Sequence, residues 1–135
     1  MAKEHNIFIS HAWDYTTDVE ALRSLINARP YFNCTYSDVS KYEPINSFSA
    51  PYIKQRLKAK ILNSHVMIGM AGIYASHSDW MKWELDTALA NNIPIIGVVP
   101  RGATRISTIV SNRAIDIVRW NTESIINAVR MHSLA

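Results

Sequence analysis

The segment from Ser76 to Ala90, SHSDWMKWELDTALA, places a carboxylate and an aromatic ring at helical spacing. Glu84 follows Trp80 by one helical turn, so the two side chains would be neighbours on one side of a helix. A tryptophan ring can stack on a flat heterocycle, and a nearby carboxylate can stabilise positive charge that develops on a sugar. The same spacing also fits a solvated glutamate beside a tryptophan of the core, so the pair by itself leaves both interpretations open.

The helix that would carry this pair has one apolar face. At about 100° per residue, Met81, Leu85, Ala88 and Asn92 share one direction, and Glu84 lies about 60° from its centre. We therefore expect the carboxylate to be half sheltered at the border of the buried face, close to the N-terminus of the helix.

Short apolar segments alternate with segments of helical periodicity along the chain. The predicted strands are 6–10, 32–37, 65–70, 94–100 and 114–120, and the predicted helical segments are 15–28, 49–63, 76–90, 106–112 and 122–132. Long links between short apolar strands are typical of right-handed crossovers between parallel strands. We therefore expect a single α/β domain over residues 1–135, a flavodoxin-like three-layer sandwich. Its five-stranded parallel sheet would have the order 2-1-3-4-5, with helices on both faces.

Composition favours a globular cytoplasmic protein. Hydrophobic residues make up 48% of the chain and charged residues 19%, and the net charge of +3 suits a small anionic ligand better than nucleic acid. The charged start, MAKEHNIF, lacks a secretory apolar run, and the longest apolar stretch, 66–75, is shorter than the roughly 20 residues that span a bilayer. We expect no membrane contact, and we expect the single Cys34 to be a buried free thiol.

Several common kinds of site are not predicted. His11, His65 and His77 lack metal-ligand spacing, so no metal site is expected. The sequence has no Gly-x-Gly-x-x-Gly and no Gly-Lys-Ser/Thr loop, which argues against a dehydrogenase-type dinucleotide fold and against a P-loop. Arg101 and Arg105 could bind phosphate, a partner subunit or only solvent, and the sequence does not choose between these.

The strand order predicts where a ligand would bind. In open parallel sheets, ligands lie outside the carboxyl ends of the strands where the strand order reverses, here between the first and third strands. The segments at that position are 11–14, 38–47 and 71–78, with 101–105 nearby. Glu84 belongs to the helix that leaves the third of these segments, which places it at the border of the predicted crevice.

The spacing Ser78-x-Trp80-x-x-x-Glu84-Leu85 resembles the third-helix motif of the TIR domain family, Ser-x-Trp-Cys-x-x-Glu-Leu. The segment NIFISH is similar to the first strand of that family, and IIGVVP is similar to its fourth strand, which commonly ends in proline. The resemblance covers nearly the whole chain. It is closest to the small TIR-like proteins of bacterial Thoeris anti-phage defence, which open with a similar Phe-Ile-Ser-His-Ala/Ser-Trp.

The sequence also departs from the family pattern. Met81 stands where the motif has cysteine, the spacing from Tyr74 to Trp80 is one residue longer than is common, and the final Phe-Trp box is absent. Loop 38–47 does not match the loop by which animal receptor TIR domains recruit each other. These departures argue against an adaptor of the receptor type and leave Glu84 in place.

The resemblance implies an NAD glycohydrolase or ADP-ribosyl cyclase-type enzyme, with Glu84 as its catalytic residue. NAD would be the substrate and no separate cofactor would be needed. The nucleotide product, a linear or cyclic ADP-ribose, would activate a separate effector protein, and a homo-oligomer is compatible with the family. The expected substrate-binding residues are Ser10, His11, Trp13, Asp14, Ser37, Asp38, Gly72, Tyr74, Ser76, Ser78 and Trp80.

Two other functions use the same fold. One is a non-catalytic TIR-like module for protein interaction and assembly. The other is a phosphoacceptor of the receiver type, which needs an aspartate at the end of the third strand. Asp14 could supply the acidic residue after the first strand, but residues 70–72 contain no carboxylate, and the receiver function is therefore disfavoured.

Overall fold

A computed structural model describes residues 4–10, 16–30, 32–36, 51–72, 79–103 and 105–134, with the side chains of 16–18, 51–53 and 79–80 left out of the description. Within these ranges the strands are β1 (Glu4–Ser10), β2 (Asn33–Tyr36), β3 (Val66–Met70), β4 (Ile95–Val98) and β5 (Asp116–Val118). The helices are α1 (Thr16–Asn27), α2 (Pro51–Leu62), α3 (Asp79–Ala90), α4 (Thr108–Ser111) and α5 (Thr122–His132).

The strands form a five-stranded sheet in the order β2-β1-β3-β4-β5, and every neighbouring pair is parallel. The predicted fold class and strand order are therefore confirmed. Strands β3 and β4 and the Ile7–Ile9 part of β1 are apolar and buried, as expected for a parallel sheet covered by helices on both faces.

Alternate residues of the strands enter two separate cores. Phe8 of β1 and Met67 of β3 face α2, α3 and α4, where they pack against Leu57 and Met81. The strand residues that alternate with these, such as Ile9 of β1, face α1 and α5. This alternation determines which strand residues can reach α3, the helix that carries Glu84.

Beyond the predicted C-terminus of α3, Asn92 differs from the prediction. The helix ends at Ala90, and Asn92 has a φ of 61°, in the left-handed region that asparagine tolerates better than most residues. The backbone N–H of Ile93 then donates to the carbonyl of Ala88 at 2.9 Å and closes the end of the helix. Asn92 is exposed, so it does not share the buried face with Met81 as the helical spacing predicted.

Strands at the two edges of the sheet are less buried than the prediction assumed. Cys34 is a free thiol, but it is half-buried because β2 has β1 as its only neighbour among the described strands. At the other edge, β5 pairs with β4 only over Asp116–Val118, so it is shorter than the predicted segment 114–120. No helix of the described ranges is long and apolar enough to cross a membrane.

A prediction concerns the start of α5. Asn121 precedes the helix with an extended backbone, and its side chain accepts a hydrogen bond from the backbone N–H of Ser124 at 3.0 Å. Asn121→Ala removes this N-cap and should lower the free energy of unfolding by about 1 kcal/mol in urea denaturation. The matched control is Asn127→Ala, an exposed asparagine inside the same helix, where alanine should be neutral or slightly stabilising. Equal losses in both variants would contradict the capping role.

Candidate active site

The carboxyl ends of the central strands meet at one edge of the sheet. Ser10 ends β1, Met70 ends β3 and Val98 ends β4, and all three strands run in the same direction. Helix α3 contacts β1, β3 and β4. In this fold a ligand is expected near the carboxyl ends of the central strands, so α3 lies beside the expected ligand position.

A row of small residues lies beneath α3 and α4. In the register of the sheet, Ser10 is paired with Gly69, and Gly69 is paired with Gly97. A Cβ atom on Gly69 would lie 3.3 Å from Leu85 Cδ2 and 3.2 Å from Val110 Cγ1. The absence of side chains at these glycines therefore allows both helices to approach the sheet closely.

Glu84 is buried at this edge of the sheet. Only 4% of the residue is exposed, and its Oε1 accepts a hydrogen bond of 2.8 Å from the hydroxyl of Ser10, which is itself fully buried. Burying a carboxylate is costly unless hydrogen bonds compensate for the lost water, and Ser10 supplies such a bond. The carboxylate is more deeply buried than the half-sheltered position predicted, because α3 packs against β1 and brings Glu84 to the Ser10 hydroxyl.

Contacts with its neighbours hold α3 in place. Arg113 forms an ion pair with Asp86 of α3 and donates to the carbonyl of Ile109 in α4, so it links the two helices. On the other side, the Nζ of Lys54 in α2 lies 6.0 Å from the ring centroid of Trp83 in α3. Helix α3 therefore contacts both neighbouring helices as well as the sheet.

The end of β3 is also tied to the segment before α4. The N–H of Ala71 donates to the carbonyl of Val98 at 2.9 Å, and the carbonyl of Ala71 accepts from the N–H of Ser107 at 3.0 Å. Gly72, a predicted substrate-binding residue, follows directly and is buried. Backbone groups beside Gly72 are thus fixed by β4 and by the start of α4.

The structure brings together two of the predicted site residues, Ser10 and Glu84, and places Gly72 two residues beyond the end of the neighbouring strand β3. Trp80 lies in the first turn of α3, but its side chain is outside the description, so the predicted pairing of Trp80 with Glu84 stays a prediction. The remaining predicted substrate-binding residues lie outside the described residues: His11, Trp13, Asp14, Ser37, Asp38, Tyr74, Ser76 and Ser78. Among the side chains that are described, no group of three or more His, Cys, Asp or Glu could hold a metal ion.

The sequence analysis did not predict that two strand glycines let α3 and α4 pack closely on the sheet. Gly69 and Gly97 each interrupt an apolar strand, HVMIGM and PIIGVVP, and a glycine inside a strand often marks a place where another element approaches closely. That signal was present in the sequence. The partner that fills the space, Val110 of α4, could not be identified without the structure.

Comparisons with known proteins agree with this fold. Residues 8–105 match the family model described as Thoeris protein ThsB, TIR-like domain. The structure is similar to that of a Clostridium botulinum CMP N-glycosidase, BcmB, with a TM-score of 0.56 and 13% identity over 93% of this chain and 98% of that chain. It is also similar to a 2-deoxyribosyltransferase from Bacillus psychrosaccharolyticus, with a TM-score of 0.56 and 14% identity over 90% of each chain. No curated protein matches the sequence.

The two structural likenesses show a shared fold, whereas the family model matches the sequence itself. The matched residues, 8–105, extend from β1 to the loop before α4 and include both Ser10 and Glu84. They make up well over half of the chain. The chain therefore belongs to the family of Thoeris ThsB proteins with a TIR-like domain.

Proposed function

We propose that this chain is an NAD-cleaving TIR enzyme of the cytoplasm that releases nicotinamide and makes a linear or cyclic ADP-ribose signal for a separate effector in anti-phage defence. The observation that carries this proposal is the buried Glu84, which is hydrogen-bonded to Ser10 at the carboxyl edge of the sheet. A solvated glutamate, the alternative that the sequence left open, would be exposed instead. Membership of the Thoeris family supports the defence role.

In the proposed reaction, the glycosidic bond between the ribose and the nicotinamide nitrogen breaks. The bonding electron pair leaves with that nitrogen, which makes nicotinamide neutral, so no strong general acid is required. The ribose passes through an oxocarbenium-like state, as in glycoside hydrolysis. A carboxylate in a sheltered site stabilises such a cation more than it would in water, because the local dielectric constant is lower. This is the role we assign to Glu84.

The residues around Glu84 would bind the rest of NAD, which is the substrate, so that no cofactor is needed. Trp80 would stack on the nicotinamide or ribose, and backbone N–H groups from Gly72 to Ser78 would meet the pyrophosphate near the N-terminus of α3. The other residues assigned to the crevice are His11, Trp13, Asp14, Ser37, Asp38, Tyr74 and Ser76.

The names of the two similar structures support the choice of bond. One is called a CMP N-glycosidase, and the other is called a 2-deoxyribosyltransferase suited to nucleoside synthesis. Both names describe transfer or cleavage at the bond between a sugar and a base. The bond that joins ribose to nicotinamide in NAD belongs to the same chemical class.

The product depends on which nucleophile reaches the anomeric carbon. Attack by water, followed by loss of a proton, gives linear ADP-ribose. Attack by an adenine nitrogen or a ribose hydroxyl of the same molecule gives a ring. Exclusion of water from the site would favour the ring.

The test is incubation of the purified protein with NAD, with free nicotinamide measured and the nucleotide product identified by mass. The same assay is repeated in extracts of phage-infected cells, since a defence enzyme can require a trigger. A product lighter than ADP-ribose by one water supports the cyclic signal, whereas ADP-ribose itself supports cleavage and contradicts cyclisation. Absence of nicotinamide release under both conditions would overturn the enzymatic proposal and favour a non-catalytic interaction module.

A further inference from the structure

We propose that Ser10 is a positioning residue for Glu84 and not a contact for the substrate. This inference rests on the proposed function and assigns a more specific role to one residue of the same site. It starts from the hydrogen bond of 2.8 Å between the Ser10 hydroxyl and Glu84 Oε1. The two residues are 74 positions apart in the sequence, so the bond joins the end of β1 directly to α3.

The burial of Ser10 argues against direct contact with the substrate. None of the residue is exposed, whereas Glu84 keeps 4% of its surface exposed. A serine hydroxyl has a single proton to donate, and in this structure Glu84 Oε1 accepts it. Ser10 therefore acts on the substrate through Glu84.

The bond fixes one carboxylate oxygen of a side chain that has several rotatable bonds. A glutamate side chain has three rotatable bonds, and its carboxylate rotates freely about the last of them unless a neighbour holds it. Ser10 is a rigid neighbour, because its strand β1 lies between β2 and β3 and Ser10 itself is paired with Gly69. With Oε1 held at the end of β1, the carboxylate keeps one orientation toward the cation that forms on the ribose.

The inference is tested with Ser10→Ala, using steady-state release of nicotinamide from NAD. Loss of the hydroxyl should lower kcat by about 10- to 100-fold, because a misplaced catalytic group loses rate on that scale. KM should stay within about twofold, since no contact to NAD is removed. Ser10→Cys, which is similar in size and a weaker donor, should have an intermediate kcat and serves if the alanine variant does not fold.

The matched control is Ser64→Ala. Ser64 is also a buried serine, and its hydroxyl donates to the carbonyl of Ile61 at 2.6 Å. It precedes β3, however, and therefore lies at the amino ends of the parallel strands, whereas Ser10 lies at their carboxyl ends. Loss of the Ser64 hydroxyl should lower Tm by about 3–5 °C and leave kcat unchanged. This variant separates a general loss of stability from a loss of positioning.

Each outcome decides between these interpretations. A folded Ser10→Ala or Ser10→Cys variant with wild-type kcat overturns the positioning role. A raised KM with unchanged kcat also overturns it and makes Ser10 a substrate contact. If wild type and Ser64→Ala both release nicotinamide, these results for Ser10 overturn only its positioning role, and the proposed function is retained. If wild type releases none, with or without the infected-cell extract, the proposed function fails and the role of Ser10 fails with it.

Discussion

The Glu84→Gln variant is expected to lose about 10²- to 10³-fold in kcat for nicotinamide release, the scale on which a preorganised charge-stabilising group acts in a sheltered site. Glutamine has nearly the same shape and still offers an Oε1 that can accept from Ser10, which donates to this atom in the wild type. The negative charge is the main property that changes. The measurement is steady-state release of nicotinamide at saturating NAD by equal amounts of the two proteins.

The same variant should be at least as stable as the wild type. Glu84 is 4% exposed, and a buried amide costs less to desolvate than a buried carboxylate. We therefore expect an equal or higher Tm for Glu84→Gln. A loss of activity without a loss of stability is the pattern of a residue that is kept for function at the expense of the fold.

Asp86→Asn is the matched control for this experiment. Asp86 lies two residues further along α3, is exposed, and forms an ion pair with Arg113. Surface pairs of this kind contribute about 0–1 kcal/mol, so the variant should fold normally and keep its kcat. Equal turnover by wild type and Glu84→Gln would remove the catalytic assignment of Glu84. A similar loss in Asp86→Asn would show that any change of charge on this helix disturbs the reaction.

Most of the fold could be predicted because it follows from local patterns. The apolar runs around Phe8 and Ile68 have the length of strands, and the spacing of Met81, Leu85 and Ala88 is that of a helix with one buried face. Links that are too long for hairpins and contain helices then favour parallel strands. These features do not depend on which distant residues are in contact, so they could be predicted from the sequence.

The burial of Glu84 could not be predicted in the same way. Helical spacing gives the direction of Glu84 relative to Met81 and Leu85, but it does not show where α2 and the sheet lie around the helix. The partner of Glu84, Ser10, is 74 residues away and was expected to line the crevice. Their hydrogen bond depends on the crossing of α3 over β1, which is a property of the packed molecule.

The glycines beneath α4 give the second large prediction, in which Gly97→Ala destabilises the protein. A Cβ atom at position 97 would lie 3.1 Å from Val110 Cγ1 and 3.4 Å from Ile117 Cγ1. Val110 is fully buried and its Cγ1 also lies 3.2 Å from the Cβ position of Gly69, so it has little room to move. Overpacking of this kind costs about 1–3 kcal/mol, which exceeds the roughly 0.5–1 kcal/mol that alanine gains over glycine in a strand. Urea denaturation of Gly97→Ala against wild type measures the net loss.

The cause of that loss is tested by adding Val110→Ala. On its own, Val110→Ala removes two buried methyl groups and should also lower the free energy of unfolding. In the double variant, the new Cβ at position 97 occupies space that Cγ1 of Val110 has left. The double variant should therefore be more stable than the sum of the single losses predicts, by at least about 0.5 kcal/mol. Strictly additive losses would show that Val110 is not the obstacle.

The same pair of variants connects the packing of α4 to the candidate site. Val110 is in α4, and the segment that leads into α4 is bonded to the end of β3 through Ser107 N–H and the carbonyl of Ala71. A methyl group at Gly97 that displaces Val110 would pull on this bond and on Gly72 beside it. Nicotinamide release should therefore fall in Gly97→Ala and recover together with stability when Val110→Ala is added. Recovery of stability without recovery of activity would mean that α4 supports the fold but does not shape the site.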